Sequence, residues 1–187
     1  MNTRDLVADA LSDRAGAPDR LMQHLLPQVV QWCHRLGGPR VDAEDAAHDV
    51  LVVVLTRLDT LHEVERLDAW VYGITRKVLA SHRRRAWLKR WVPGFMPEVG
   101  DGRPSPERLS VMSEASRGVW TILNTLSDHH REVLVLCDIE ERTDLEVATL
   151  LGVPLGTVKS RLRRARQRFR IAAEEAQLHT LATPAEA

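Results

Sequence analysis

The chain has 187 residues, room for one ordinary domain or two small ones. With 44% hydrophobic and 28% charged residues it reads as a soluble globular protein rather than a disordered one. Its formal net charge is zero, which argues against nucleic acid as a partner only until the charges are located.

Residues 1–11 contain Asp5 and Asp9 and no apolar run, so they do not read as a signal peptide. The longest uncharged apolar stretch, 50–56, is too short to cross a bilayer, so no membrane insertion is expected and the cytoplasm is the expected location. Periodic apolar residues predict a helix over 21–36 that ends at Gly37-Gly38-Pro39. Asp42 suits the N-cap of the next helix, with Glu44 and Asp45 in the dipole-favoured first turn. Ala47, Val50, Val54, Leu58 and Leu61 form its expected buried stripe. A third helix is expected over 67–89, with Leu67, Val71, Ile74 and Val78 inward and its basic residues at the C-terminal end. Residues 91–104 are dense in proline and glycine and predict a flexible linker.

Beyond the linker, Ser105-Pro106-Glu107 reads as a helix start, followed by a stripe of Met112, Ala115, Val119, Ile122 and Leu126. Ser127-Asp128 opens another helix carrying Val133, Leu134 and Cys137. Thr143 and Glu146 have capping-box spacing before a short helix that ends at Gly152. Pro154 begins a last helix to about Ala173, and the tail from Leu178 is expected to fray. No strand-like alternation stands out, so the fold class expected is all-α, two small helical domains joined by a proline-rich linker.

The charges are not evenly spread. Residues 76–90 contain no acid, and neither do 159–170, while 42–68 is acid-rich. A solvated helix face would explain one such run; two point to separate surfaces for separate partners. Cys33 and Cys137 are the only cysteines, which excludes a disulfide scaffold or a four-cysteine zinc site, and both read as core residues. The eight histidines are scattered, and no catalytic triad, metal set or phosphate loop is found, so neither an enzyme nor a cofactor nor a small-molecule substrate is expected.

Residues 143–170 read as a helix-turn-helix, turning at Leu151-Gly152-Val153-Pro154, with Ala148 small where the helices approach. Val158, Leu162, Ala165 and Phe169 pin the second helix. Its opposite face presents Gly156, Ser160, Arg163, Arg164 and Gln167, with Lys159 at the flank. A small polar residue and arginines near a helix N-terminus suit base edges in a major groove, and further arginines suit phosphates.

At this point the chain resembles a known family. Residues 126–170, LSDHHREVLVLCDIEERTDLEVATLLGVPLGTVKSRLRRARQRFR, resemble the C-terminal domain, region 4, of extracytoplasmic-function sigma factors; GVPLGTVKSRLRRAR is the most specific part. Residues 42–85 resemble region 2, best in the DAED start and the AWVYGITRKVL stretch. The resemblance implies domains at 1–90 and 111–175, a linker at 91–110 and a frayed tail at 176–187. It implies as partners the clamp helices of core RNA polymerase, promoter DNA and an anti-sigma factor. Region 2 would hold polymerase through Asp45, His48, Asp49 and Val52. It would open the minus-ten DNA through the loop His62, Glu63, Val64, Glu65, Arg66 and through Trp70, Tyr72, Arg76, Lys77 and Arg84. Region 4 would read the minus-thirty-five element through Thr157, Lys159, Ser160, Arg163, Arg164 and Gln167.

The residues suit these roles physically. Asp45, His48 and Asp49 lie one turn apart on an acidic face fit for a basic partner. Trp70 and Tyr72 could stack with an unpaired base or belong to the core. The chain departs from the family at His48, usually Gln, at Leu51 and Leu55, often aromatic, and at Lys77, commonly Asn, where phosphate contact would replace base readout. The competing reading is a stand-alone helix-turn-helix regulator whose first half senses or dimerises; it explains the last helix but not the region 2 resemblance.

Overall fold

The computed structural model describes residues 3–12, 14–88 and 114–182, with side chains of the last segment described for 118–176. Every regular element among the described residues is helical, and they group into two compact units, broadly one from each half of the chain. The expected linker, Lys89, the helix start at Ser105 and Met112 lie outside the described residues.

The first unit contains α1 (Thr3–Leu11), α2 (Ala17–Leu36), α3 (Ala43–Thr56) and α4 (Leu67–Leu88). Short 3-10 turns at Leu58–Thr60 and Val64–Arg66 separate the last two. The helix α1 is not foreseen in the sequence reading; it forms around Leu6 and Val7, which are buried as α1 packs on α2. α2 begins before the expected Leu21, because Gly16 takes a left-handed φ of 72° and Pro18 sits in the first turn, where its missing N–H costs nothing. At α3 the N-cap is as expected: the Asp42 carboxylate accepts the Asp45 N–H at 2.9 Å. Such a cap is worth about 1 kcal/mol. The expected stripe of α3 is buried in full, although Leu58 and Leu61 belong to the tighter turn beyond Thr56.

α4 packs on both α2 and α3. Its buried face is Leu67, Val71, Tyr72, Thr75 and Leu79, rotated from the expected one, and Ile74 and Val78 are half-buried. Thr75 enters the core because its hydroxyl donates to the Val71 carbonyl at 3.0 Å, which leaves no polar atom unpaired. Tyr72 is wholly buried and meets Trp32 of α2 edge to face, ring centres 4.8 Å apart. That pair adds about 1 kcal/mol beyond its buried area.

The second unit contains α5 (Glu114–Thr125), α6 (Asp128–Leu134) running into a π-helical turn (Val135–Ile139), α7 (Asp144–Leu151) and α8 (Leu155–Ala182). α6 and α5 both pack on α8. The expected stripe of α5 holds in part: Leu126 is buried and Ile122 half-buried as expected, but Val119 is exposed, while Leu123 is buried and Trp120 half-buried. Leu123 and Leu126, three apart, are the buried residues here, flanked by Trp120 and Ile122. Arg131 is buried because its guanidinium donates to Asn124 Oδ1 at 3.1 Å and Asp128 Oδ1 at 2.7 Å, tying α5 to α6. Of the two cysteines, Cys33 is buried and Cys137 only half so.

The helix-turn-helix forms as read. Thr143 N–H donates to Glu146 Oε2 at 2.7 Å, and Glu146 N–H returns to Thr143 Oγ1 at 3.3 Å. α7 then closes with the Val153 N–H on the Ala148 carbonyl at 3.1 Å, around Gly152 at φ 63°. A side chain at Gly152 would find open space, so the glycine is needed for its backbone angle alone. α8 continues to Ala182, past the expected end near Ala173 and into the tail expected to fray, since no glycine or proline interrupts residues 174–182.

Candidate protein and nucleic-acid interfaces

In the first unit the acidic row lies along one side of α3. Asp45, His48 and Val52 are exposed, Asp49 is half-buried, and Val52 keeps 46% of its surface in water. The spacing of Asp45, Asp49 and Val52 puts two carboxylates and one apolar side chain on a single strip. Behind it stands His82 of α4, its Nε2 2.9 Å from Asp49 Oδ2. On the flank, Glu44 faces the His34 imidazole of α2 at 3.2 Å.

The basic helix α4 sorts its candidates by depth. Trp70 is half-buried, and Lys77 and Arg84 are exposed; heptad spacing puts all three on nearly one face. Space beside Gly73, between Trp70 and Lys77, is open. Arg76 is half-buried next to this face. Tyr72 is not part of it: as a fully buried partner of Trp32 it has no ring face left for a base, which corrects its place among the minus-ten candidates. Arg83 is drawn the other way and donates to the Leu36 carbonyl at 3.1 Å. Trp87, 53% exposed and one turn beyond Arg84, is an aromatic in the basic run that sequence reasoning missed.

The loop of His62, Glu63, Val64, Glu65 and Arg66 is exposed apart from half-buried Val64. It is pre-shaped by ion pairs: Arg66 Nε meets Glu63 at 2.7 Å, and Arg4 of α1 pairs with Glu65. A hydrogen bond from its own backbone and then the Arg4 guanidinium hold the Glu65 carboxyl below the usual range. Arg4 was not visible as a loop partner, since the contact spans most of the unit.

In the second unit α8 buries Val158, Leu162 and Ala165, with Phe169 half-buried. Lys159, Arg163, Arg164 and Gln167 are exposed. Thr157 and Ser160 are half-buried, and the Ser160 hydroxyl donates to the Thr157 carbonyl at 3.0 Å, leaving its lone pairs outward. The structure divides the candidates between two flanks. Lys159, Arg163 and Gln167 line a groove with Arg166, Arg170 and Asp144. Arg164 lies instead with Arg161 and Arg168 around His130, whose imidazole is held below the ordinary histidine range by burial and then by Arg168 and Arg164. Arg166 is engaged by Asp138 of the π-helical turn through two hydrogen bonds of 3.0 and 2.6 Å. This side chain is largely exposed, so the pair is worth at most about 1 kcal/mol; its geometric effect is to fix the groove wall.

Two family models match the chain: Sigma-70 region 2 over residues 21–89, and Sigma-70 region 4 over 116–169. The ECF RNA polymerase sigma factor SigE of Mycolicibacterium smegmatis is 31% identical over 172 residues, 90% of this chain and 66% of that protein. The RNA polymerase sigma-E factor of Streptomyces coelicolor is 30% identical over 142 residues, 76% of this chain and 77% of that protein. Among solved structures, the sigma factor RpoE of Bartonella quintana, in complex with the anti-sigma factor NepR, superposes with a TM-score of 0.64 at 24% identity, covering 86% of this chain and 98% of RpoE. The region 2 match accounts for the half of the chain that a stand-alone regulator leaves unexplained. The chain therefore belongs to the sigma-70 family, in its extracytoplasmic-function group, and is a transcription initiation factor rather than an enzyme.

Proposed function

We propose that the chain directs core RNA polymerase to promoters through three surfaces. The strip of Asp45, His48, Asp49 and Val52 docks on the clamp helices of the largest subunit. The Trp70, Lys77 and Arg84 face of α4, with Arg76 and the 62–66 loop, receives the opened minus-ten strand. The face of α8 formed by Thr157, Lys159, Ser160, Arg163, Arg164 and Gln167 reads the minus-thirty-five duplex. One observation carries the reading: within a single small unit, an acidic helix and a basic, aromatic-bearing helix present separate surfaces. A stand-alone DNA-binding module has no use for the acidic one.

The division at 1–90 and 111–175 with a linker between them belongs to the same proposal, as does a cytoplasmic location, where its polymerase and promoter DNA are found. No helix among the described residues is long and apolar enough to cross a membrane. An anti-sigma factor is a further proposed partner, by analogy with the complex of the Bartonella relative. The test is charge reversal of Asp45 and Asp49 together. It should weaken binding to core polymerase by about tenfold or more while region 4 still binds duplex DNA; unchanged affinity for core enzyme would remove α3 as the docking face.

A further inference from the structure

The docking strip of α3 is backed by a titratable side chain from another helix. The His82 side chain is 10% exposed, while Asp49 and Asp45 in front of it are 44% and 67% exposed. Its Nε2 lies 2.9 Å from Asp49 Oδ2 and its Nδ1 3.8 Å from Asp45 Oδ2, so each ring nitrogen faces one carboxylate. A carboxylate only accepts, so in the neutral ring the proton sits on Nε2 and is donated to Asp49.

We infer that His82 is a positioning residue for polymerase docking: from behind the strip it fixes the Asp49 carboxylate and sets how negative the strip is. The inference rests on the reading of Asp45 and Asp49 as polymerase contacts. The hydrogen bond to one oxygen holds Asp49 in a single rotamer with its remaining lone pairs outward, so less side-chain freedom is lost when a cation docks. Protonation of the ring changes the balance. The Nδ1 side then carries a proton toward Asp45, and the three groups pass from two net negative charges to one. A basic partner must now compete with the imidazolium, so docking weakens as pH falls. The other charged groups near this junction are His48 on the exposed side of α3, Glu44 paired with His34 of α2, and Arg83 of α4, which is turned to the Leu36 carbonyl. His48 and His34 are imidazoles as well, so the test separates them from His82.

The experiment measures affinity of the full chain for core RNA polymerase as pH is lowered across the imidazole range, from about 8 to about 6. The wild-type chain should lose about three- to tenfold in affinity. His82→Gln keeps a neutral donor at similar reach; it should match wild type at the upper pH and lose little at the lower. His34→Gln should keep the wild-type drop, and in a His48→Gln background the further change His82→Gln should still remove most of the drop that remains. His82→Ala, lacking any donor, should bind several-fold more weakly at both ends, and the glutamine variant makes the result independent of whether the alanine variant folds. Asp49→Asn separates the docking strip from the role of His82. If it binds core enzyme as tightly as wild type, the docking reading itself fails. If it binds weakly while His82→Gln retains the full pH dependence, the docking reading stands and the role of His82 is refuted.

Discussion

The two basic runs of this chain have similar composition and different structural fates. In α4 the cations share a face with a half-buried Trp70, with Trp87 exposed one turn past Arg84, and one arginine, Arg83, is committed to a backbone carbonyl. In α8 no exposed aromatic accompanies the arginines among the described side chains, and the cations separate into two flanks around Ser160 and Gln167. Aromatic rings are useful against bases that have left the stack, because every base has a π-face. A narrow helix with a small polar centre and arginine flanks suits an intact major groove, where base edges lie between two phosphate rows. The lesson is that a count of lysines and arginines says nucleic acid, while their neighbours say which form of it.

The comparison breaks most readily at α4. Neutralising Arg76, Lys77 and Arg84 together should leave binding to core polymerase near normal and abolish promoter opening; loss of both would mean α4 serves polymerase rather than the open strand. In α8 the expected effect is smaller and confined to duplex DNA. Arg164→Ala should cost about 1–3 kcal/mol of discrimination between promoter and random DNA. Equal loss on both, seen in competition binding, would reduce Arg164 to a phosphate contact beside Arg168. Smaller again is the scaffold beneath it. Thr143→Ala removes the hydroxyl half of the reciprocal cap of α7, leaving the residue-143 backbone N–H on Glu146, and should lower the stability of the second unit by about 1 kcal/mol in denaturant unfolding. The Thr143 hydroxyl and N–H hold the Glu146 carboxyl below its usual value. A depressed carboxyl stabilises above its unfolded-state pKa and loses that contribution as pH falls through its folded value, so this cap should weaken only in acid and be insensitive near neutrality. Least of all should the cysteines matter. Burial pushes the Cys33 thiol up to about 12 and the Cys137 thiol up to about 11, so both stay protonated. Mass spectrometry after mild alkylation of the native chain should find neither modified, and rapid labelling of Cys137 would show that the π-helical turn opens.

Local signals carried much of this into the sequence. The caps at Asp42 and Thr143, the turn at Gly152 and most of the stripes of α3 and α8 depend on neighbours within a few residues and formed where the spacing put them; Leu58 and Leu61 fall beyond α3, and Phe169 is only half-buried. What failed depended on distant partners. The face of α4 is rotated because that helix answers to both α2 and α3, which draws in Tyr72 and Thr75 and leaves Ile74 and Val78 at the edge. Tyr72 could be a base platform or a core ring on sequence grounds, and only Trp32 across the core decides it. The stripe of α5 held at Leu126 and in part at Ile122, but Leu123 is buried where Val119 was expected. α1, Arg4 on Glu65, and His82 behind Asp49 are tertiary facts with no sequence signal at all.

On the proposed reading the first unit opens DNA only as part of polymerase. Fluorescence of a base analogue placed in the minus-ten segment tests it most directly, with the free chain, with core polymerase, and with both. On the proposed reading each unit alone would make chiefly phosphate contacts and should bind weakly and with strong salt dependence, whereas on core enzyme the second contact gains effective concentration from the first. Fluorescence should rise only when chain and core polymerase are present together and the 70–85 segment of α4 is intact. Tight, specific binding and opening by the free chain, with nothing added by core polymerase, would contradict it.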